Sequence, residues 1–93
     1  MDVQDAIKAA KDFAKVVFAD EDVAQVRTEE FEFDGEREAW LITLGLMRPA
    51  IDTRAGQIAT MLGNTAYKRS YRVFAVNDRS GQVESVKIKQ FEE

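Results

Sequence analysis

The last third of the chain contains two runs typical of β-strands, residues 71–76 and 83–88, joined by residues 77–82. Both runs are rich in β-branched and aromatic residues, which favour an extended backbone. Gly81 lies just before the second run, and glycine readily adopts the positive φ that closes a short loop. The sequence therefore predicts an antiparallel β-hairpin in this region.

The start of the chain has a helical pattern. Charged and amide side chains lie on one side, and apolar side chains recur at steps of three and four on the other: Val3, Ala6, Ile7, Ala10, Phe13, Ala14 and Val17. This spacing predicts an amphipathic α-helix over residues 2–18. Asp2 is the predicted N-cap, because its carboxylate can accept a hydrogen bond from a free amide of the first turn. Lys8 and Asp12, four residues apart, are expected to form an exposed pair.

Residues 23–33 follow the helix and read as a first strand with an irregularity. The early apolar residues fall on one side of the alternation and the later ones on the other, namely Ala24 with Val26 and Phe31 with Phe33. A regular strand cannot direct all of them into one core, because side chains alternate strictly between its two faces. The pattern therefore predicts a β-bulge or bend near residues 28–30.

An Asp34-Gly35 turn then connects the first strand to a second, over residues 37–46. Its alternating residues Trp40, Ile42, Leu44 and Leu46 are predicted to point inward, and residues 47–50 are expected to lie outside the strand. Phe31 and Phe33 should pack across the hairpin against this strand. In the last two strands, residues 67–77 and 82–91, Val86 and Ile88 are predicted to point inward. Ser85, Lys87 and Lys89 are predicted to point outward.

These elements predict a single α+β domain comprising residues 1–93. One N-terminal helix packs on a four-stranded antiparallel meander sheet, and a long insertion lies between strands 2 and 3. The insertion, residues 47–66, is long for a connection in a compact domain. Ala55, Ile58, Ala59 and Leu62 have helical spacing, which indicates a short helix within it. The segment is expected either to fold back as a lid or to be mobile.

Binding residues are predicted mainly in this insertion, because a long loop on a small sheet adds surface without contributing to the core. Arginine supplies charge and planar hydrogen bonding, while methionine and leucine supply adaptable apolar contact. The predicted partner-binding residues are Arg48, Arg54, Met61, Leu62, Tyr67 and Arg69.

The composition narrows the chemistry that the chain can perform. It contains no histidine and no cysteine, so the commonest general base and the thiolate metal ligands are missing. Gly56 and Gly63 are not followed by the lysine and hydroxyl residue of a phosphate-binding loop. We therefore expect a protein that is not an enzyme and that uses no cofactor or metal. The absence of a basic, apolar leader and of a membrane-length apolar run predicts a cytoplasmic protein that does not contact membranes.

Charge is distributed unevenly along the chain. Residues 1–46 carry 5 basic and 12 acidic side chains, a net of −7, whereas residues 47–93 carry 8 basic and 5 acidic, a net of +3. The acidic residues of the first hairpin are expected to form a solvated rim that discourages edge pairing. The C-terminal half has its own group of cations, namely Lys68, Arg69, Arg72, Lys87 and Lys89, with Arg48 and Arg54 in the insertion. These cations balance the acidic rim, face water, or form with Tyr67 and Tyr71 a surface for single-stranded nucleic acid.

The order of elements, and the run Tyr71-Arg72-Val73-Phe74-Ala75-Val76-Asn77-Asp78-Arg79-Ser80-Gly81-Gln82-Val83, resembles the PepSY domain and its cystatin-like relatives. The closing hairpin of that family carries a pattern close to V-D-x-x-T-G-x-V, and here Asn77 stands for the Asp and Ser80 for the Thr. The resemblance implies a helix packed on an antiparallel sheet and a role in binding proteins such as peptidases. PepSY domains are usually extracytoplasmic and often repeated, whereas this chain has a single unit and a long insertion.

Two functions follow as expectations. The first is a small non-enzymatic protein-interaction module, inhibitor-like or immunity-like or self-associating, whose partner is another protein or a second copy. The alternative is a binder of single-stranded nucleic acid through the basic C-terminal strands, although the net charge of −4 weighs against it.

Overall fold

A computed structural model describes residues 1–49, 54–63 and 67–90, without the side chains of residues 55, 56, 59 and 60. The elements in chain order are α1 (Val3–Val17), β1 (Ala24–Asp34), β2 (Ala39–Pro49), α2 (Arg54–Met61), β3 (Tyr67–Asn77) and β4 (Val83–Lys89). The four strands form one antiparallel sheet in the order β1-β2-β3-β4. The predicted α+β fold, with its N-terminal helix and four-stranded meander, is confirmed.

Helix α1 begins where the sequence predicts, at an Asp2 cap. The Asp2 Oδ1 atom accepts a hydrogen bond from the Asp5 amide at 2.9 Å. The expected pair on the exposed side is also present, with Lys8 Nζ 2.5 Å from Asp12 Oδ2. On the opposite side Ala6, Ala10 and Ala14 are buried, which brings the helix backbone close to the sheet.

The core lies between α1 and one face of the sheet. Its large buried side chains come from the two central strands: Ile42, Leu44 and Leu46 of β2, with Phe74 and Val76 of β3. The ring of Phe13 meets the ring of Phe74 edge-on, with centroids 6.5 Å apart. Trp40 lies at the margin of this core, where its indole Nε1 donates to Asp78 Oδ1 at 3.1 Å.

The predicted irregularity in β1 is confirmed. Thr28 is opposite Leu44 and Glu30 is opposite the adjacent Thr43, so the register shifts at Glu29. A second shift, between Ala24 and Arg27, was not anticipated. These shifts place Val26 against the core and put Phe31 on the same side of the sheet, because Phe31 pairs with the core residue Ile42.

Two details of the strand predictions are wrong. β2 continues to Pro49, which pairs with Tyr67, so the connection between strands 2 and 3 is shorter than predicted and comprises residues 50–66. A proline is acceptable there because it terminates the strand. Ile88 is 69% exposed, although it pairs with Arg72 on the helix side of the sheet, because α1 does not cover that part of β4. In the first hairpin the positive φ is at Glu38 (52°) and not at Gly35.

The second hairpin closes as predicted, with Gly81 at a φ of 71°. Its amide donates to the carbonyl of Asn77 at 2.9 Å, and Asn77 Oδ1 accepts hydrogen bonds from the amides of Arg79 and Ser80. The predicted continuation of the last strand to Phe91 falls outside the described residues. Neither described helix has the length and apolar character needed to cross a membrane.

Replacing Gly81 with alanine is expected to lower the free energy of unfolding by about 1–2 kcal/mol, because a Cβ is strained at that φ. Gly35→Ala is the matched control, since an added Cβ there meets nothing within 4 Å and the φ is not positive. That variant should be unchanged or up to about 1 kcal/mol more stable. Urea unfolding measures both, and equal values for the two variants would contradict the assigned turn geometry.

Candidate interaction surfaces

The connection between β2 and β3 presents the largest concentration of exposed apolar side chains among the described residues. Met61 is 84% exposed, Leu62 is 73% exposed, and Ile58 and Tyr67 are each 49% exposed. We call these four residues the end surface, because α2 and the start of β3 follow the end of β2 in the chain and Tyr67 pairs with Pro49, the last residue of β2. The predicted short helix is confirmed as α2. Its described side chains are all exposed, which does not support the prediction of a lid over the sheet.

Arg54, Met61, Leu62 and Tyr67, four of the predicted binding residues, are exposed at this end of the molecule. Arg48 is placed differently. Its guanidinium forms an ion pair with Glu21 and stacks over the Phe18 ring at 5.8 Å, so it connects β2 to the segment after α1. The structure therefore gives Arg48 an internal role that its position next to the insertion did not suggest.

The sheet face opposite α1, which we call the open face, carries the other predicted residue, Arg69. Tyr67, Tyr71, Lys87 and Lys89 share this face, since their strand partners alternate with the core residues. Lys89 Nζ lies 2.6 Å from Glu30 Oε1, and Arg69 Nη1 lies 3.9 Å from Glu29 Oε1. Acidic side chains of β1 thus neutralise cations of β3 and β4, as the charge-balance alternative predicted.

The side chain of Glu29 passes over Gly45 to reach Arg69. A Cβ added at Gly45 would lie 2.6 Å from Glu29 Oε1, so the absence of a side chain at Gly45 leaves room for the carboxylate. The β1 bulge, where the register shifts at Glu29, is on the strand next to Gly45. The bulge, the glycine and the ion pair form one local arrangement on the open face.

A second group of cations lies on the helix side of the sheet, beyond the end of α1. Lys68, Ser70 and Arg72 alternate along β3 and pair with Arg48, Leu46 and Leu44. They contribute to a groove of about 560 Å³, here called the basic groove, and no described lining residue is acidic. Its lining is Arg48, Lys68, Arg69, Ser70, Tyr71, Arg72, Ile88, Lys89 and Gln90.

Arg72 is the residue of this groove whose charge is least compensated. It is partly buried, and among the described residues no carboxylate pairs with it. Its Nη1 atom donates to the Tyr71 carbonyl at 3.1 Å. Burial lowers the pKa of Arg72 below its usual value, and the nearby positive charge of Arg48 lowers it further.

The first hairpin has an aromatic margin next to its acidic residues. The rings of Phe33 and Trp40 meet at 5.1 Å between centroids, and Phe31 pairs with Ile42 on β2. Both phenylalanines are about half exposed, so they lie at the rim of the core. Asp78 fixes Trp40 from the other side and also lies 3.3 Å from the N-terminal amine of Met1.

Searching the described residues for groups of three or more acidic side chains that could hold a metal ion found none. Comparison with protein-family models, with curated proteins and with solved structures gave no match in any of the three searches. The PepSY and cystatin-like resemblance therefore stays a prediction based on the sequence of the closing hairpin.

Two features were missed at the sequence level. The contact of Asp78 with both Trp40 and Met1 joins residues 38 and 77 positions apart, and no local pattern indicates it. The sequence partly indicates the basic groove, since Lys68, Ser70 and Arg72 are spaced two residues apart in a strand and so share a face. Arg72 was recognised as one of the basic residues but not as a separate site.

Proposed function

We propose that this chain is a small non-enzymatic protein-interaction module that binds another protein, or a second copy of itself, through the end surface. The observation that supports it is the exposure of Ile58, Met61, Leu62 and Tyr67 at one end of the molecule. Exposed apolar residues scattered singly are ordinary, but a group on one short segment is typical of an interaction site. An inhibitor or immunity protein is one form that such a module could take, by analogy of size and fold alone.

The mode of contact that fits this surface is a short amphipathic helix laid into an apolar groove of the partner. Met61 and Leu62 adapt to irregular pockets, and Arg54 at the start of α2 can provide a charge at the rim. On the open face, Arg69 and Lys89 are paired with Glu29 and Glu30, which leaves less unsatisfied surface there.

The test is the double variant Met61→Glu, Leu62→Glu, compared with the wild type in affinity capture from source lysate and in sedimentation velocity. Each buried hot-spot side chain contributes about 2 kcal/mol or more, so the double variant should lose at least about 30-fold in affinity. Capture should persist at high salt, because an apolar interface depends little on ionic strength. Self-association would appear as a dimer that the double variant converts to a monomer.

Val16→Glu is the matched control, because Val16 is also an exposed apolar residue on a helix. It should retain binding. The proposal fails if the wild type is monomeric and captures no protein that the double variant loses, or if Val16→Glu loses binding equally. Circular dichroism confirms that each variant is folded before its binding is interpreted.

The alternative is a binder of single-stranded nucleic acid, and one observation favours it. Tyr67, Arg69, Tyr71, Lys87 and Lys89 share the open face, where aromatic rings and cations can contact bases and phosphates together. The ion pairs of Arg69 and Lys89 with β1 carboxylates oppose this function. A salt titration separates the two proposals, since affinity for a single strand falls steeply as salt rises.

A further inference from the structure

We propose that the basic groove is a binding site for a small organic phosphate, with Arg72 as its principal contact. The site is separate from the end surface, and it does not depend on the protein-interaction proposal. Its ligand would place a phosphate group against Arg72, Arg48 and Ser70 on the helix side of β3.

The first step in the argument is the charge of the groove. The protein as a whole is acidic, with a net charge of −4, yet no described residue that lines this groove is acidic. Arg48, Lys68 and Arg72 are its cations on the helix side of the sheet, whereas Arg69 and Lys89 are on the open face and pair with Glu29 and Glu30. Arg48 pairs with Glu21 outside the groove, and no described carboxylate pairs with Arg72, so the groove favours an anionic ligand.

The second step is the state of Arg72. A partly buried guanidinium that lacks a carboxylate partner is costly, because it gives up part of its hydration without gaining an opposite charge. Arg48 adds repulsion, and it is close enough to lower the pKa of Arg72. A dianion bound between the two arginines would relieve both effects. Each guanidinium carries five donors, so Arg48 can bind an anion while remaining paired with Glu21.

The third step is the choice of phosphate among anions. Arginine donates two parallel hydrogen bonds to a phosphate, and a hydroxyl can donate to a third oxygen. Ser70 supplies that hydroxyl, since it lies between Lys68 and Arg72 on the same side of β3. Ile88 is opposite Arg72 and is 69% exposed, which provides an apolar wall for the organic part of the ligand.

The experiment measures binding by isothermal titration calorimetry, with thermal unfolding in parallel. The probes are adenosine monophosphate, inorganic phosphate and adenosine, all at matched ionic strength. Adenosine monophosphate should bind more tightly than inorganic phosphate, and both should raise the melting temperature relative to chloride. Adenosine should have no effect. An equal response to adenosine, or no response to either phosphate beyond that of chloride, overturns the proposal.

Arg72→Gln should weaken binding of adenosine monophosphate by about tenfold or more, since it removes charge-assisted hydrogen bonds. Ser70→Ala should weaken it about threefold to tenfold without changing the charge, and it keeps the test interpretable if Arg72→Gln folds poorly. Arg79→Gln is the control, because Arg79 is an exposed cation in the β3–β4 turn. Equal losses in Arg72→Gln and Arg79→Gln would show a general charge effect and overturn the site.

The same titration distinguishes a small phosphate from a polymer. If a single-stranded oligonucleotide binds more tightly than adenosine monophosphate at equal phosphate concentration, the ligand is nucleic acid and the small-phosphate proposal is wrong. The stability of Arg72→Gln without phosphate provides a further check. It should equal or exceed that of the wild type, because the uncompensated charge is removed, and a lower value would instead indicate a structural role for Arg72.

Discussion

Replacing Phe74 with alanine is expected to lower the free energy of unfolding by about 3–5 kcal/mol. Phe74 is fully buried at the centre of the sheet, opposite Ile42 on one side and Val86 on the other, and it meets the Phe13 ring of α1. Alanine would leave a cavity bordered by α1, β2 and β4, and these three elements cannot all move inward to fill it. A domain of this size has about 5–15 kcal/mol of stability in total, so the variant should be close to unfolding.

Phe31→Ala is the control for this prediction. Phe31 is on the same side of the sheet and is also paired with Ile42, but it is 53% exposed at the edge strand. The same change of side chain should therefore cost less than about 1 kcal/mol. Urea unfolding followed by the fluorescence of Trp40 reports both values, since the chain has a single tryptophan. Similar losses for the two variants would contradict the position of the core between α1 and the central strands.

Periodicity was sufficient to predict the elements that form this core. The apolar stripe of α1 and the alternation of β2 both reflect burial of one face. That face can be recognised from the local sequence pattern. The same reasoning located the bulge in β1, because its apolar residues change side partway along the strand. It did not locate a further irregularity between β3 and β4, where Val83 and Val86 both pack against the core although they are three residues apart.

The ends of the strands were harder to predict. Residues 47–50 were predicted to lie outside the strand, but β2 continues to Pro49, where a terminal strand position needs no amide donor. Ile88 has the alternation of a buried residue and is nevertheless exposed. Its exposure is decided by where α1 ends and by how far the helix extends across the sheet. Neither quantity is encoded near Ile88.

The binding residues illustrate the same limit. A charged residue in a long insertion is a reasonable candidate for contact, which is why Arg48 was predicted, and Arg69 was predicted as part of the basic C-terminal strands. Their carboxylate partners, Glu21 and Glu29, lie 27 and 40 positions earlier in the chain and come close only when the chain folds. Arg72 is the opposite case. That no described carboxylate pairs with it becomes visible only when the surrounding side chains are placed.

Some residues of this chain are explained by folding, and others are not. The core residues and the β1 ion pairs are explained by folding, whereas the end surface and the basic groove contain groups that the described fold leaves exposed or without an opposite charge. Function is best sought where folding alone does not explain a residue. Met61 and Arg72 meet that condition for different reasons, one apolar and one charged. Their variants therefore test separate proposals.

The alanine stripe of α1 gives the second large effect. Ala10 is fully buried between Ala6 and Ala14, where the helix backbone lies close to the sheet, so Ala10→Leu must push the helix outward. Overpacking of this kind costs about 1–3 kcal/mol, and we expect a value near the upper end because the large core residues opposite are fully buried. Val16→Leu, at a position on the same helix that is 74% exposed, should change stability by less than about 0.5 kcal/mol. If urea unfolding showed Ala10→Leu to be as stable as the wild type, there would be space between α1 and the sheet for a larger side chain. That result would contradict the close approach of the helix backbone to the sheet.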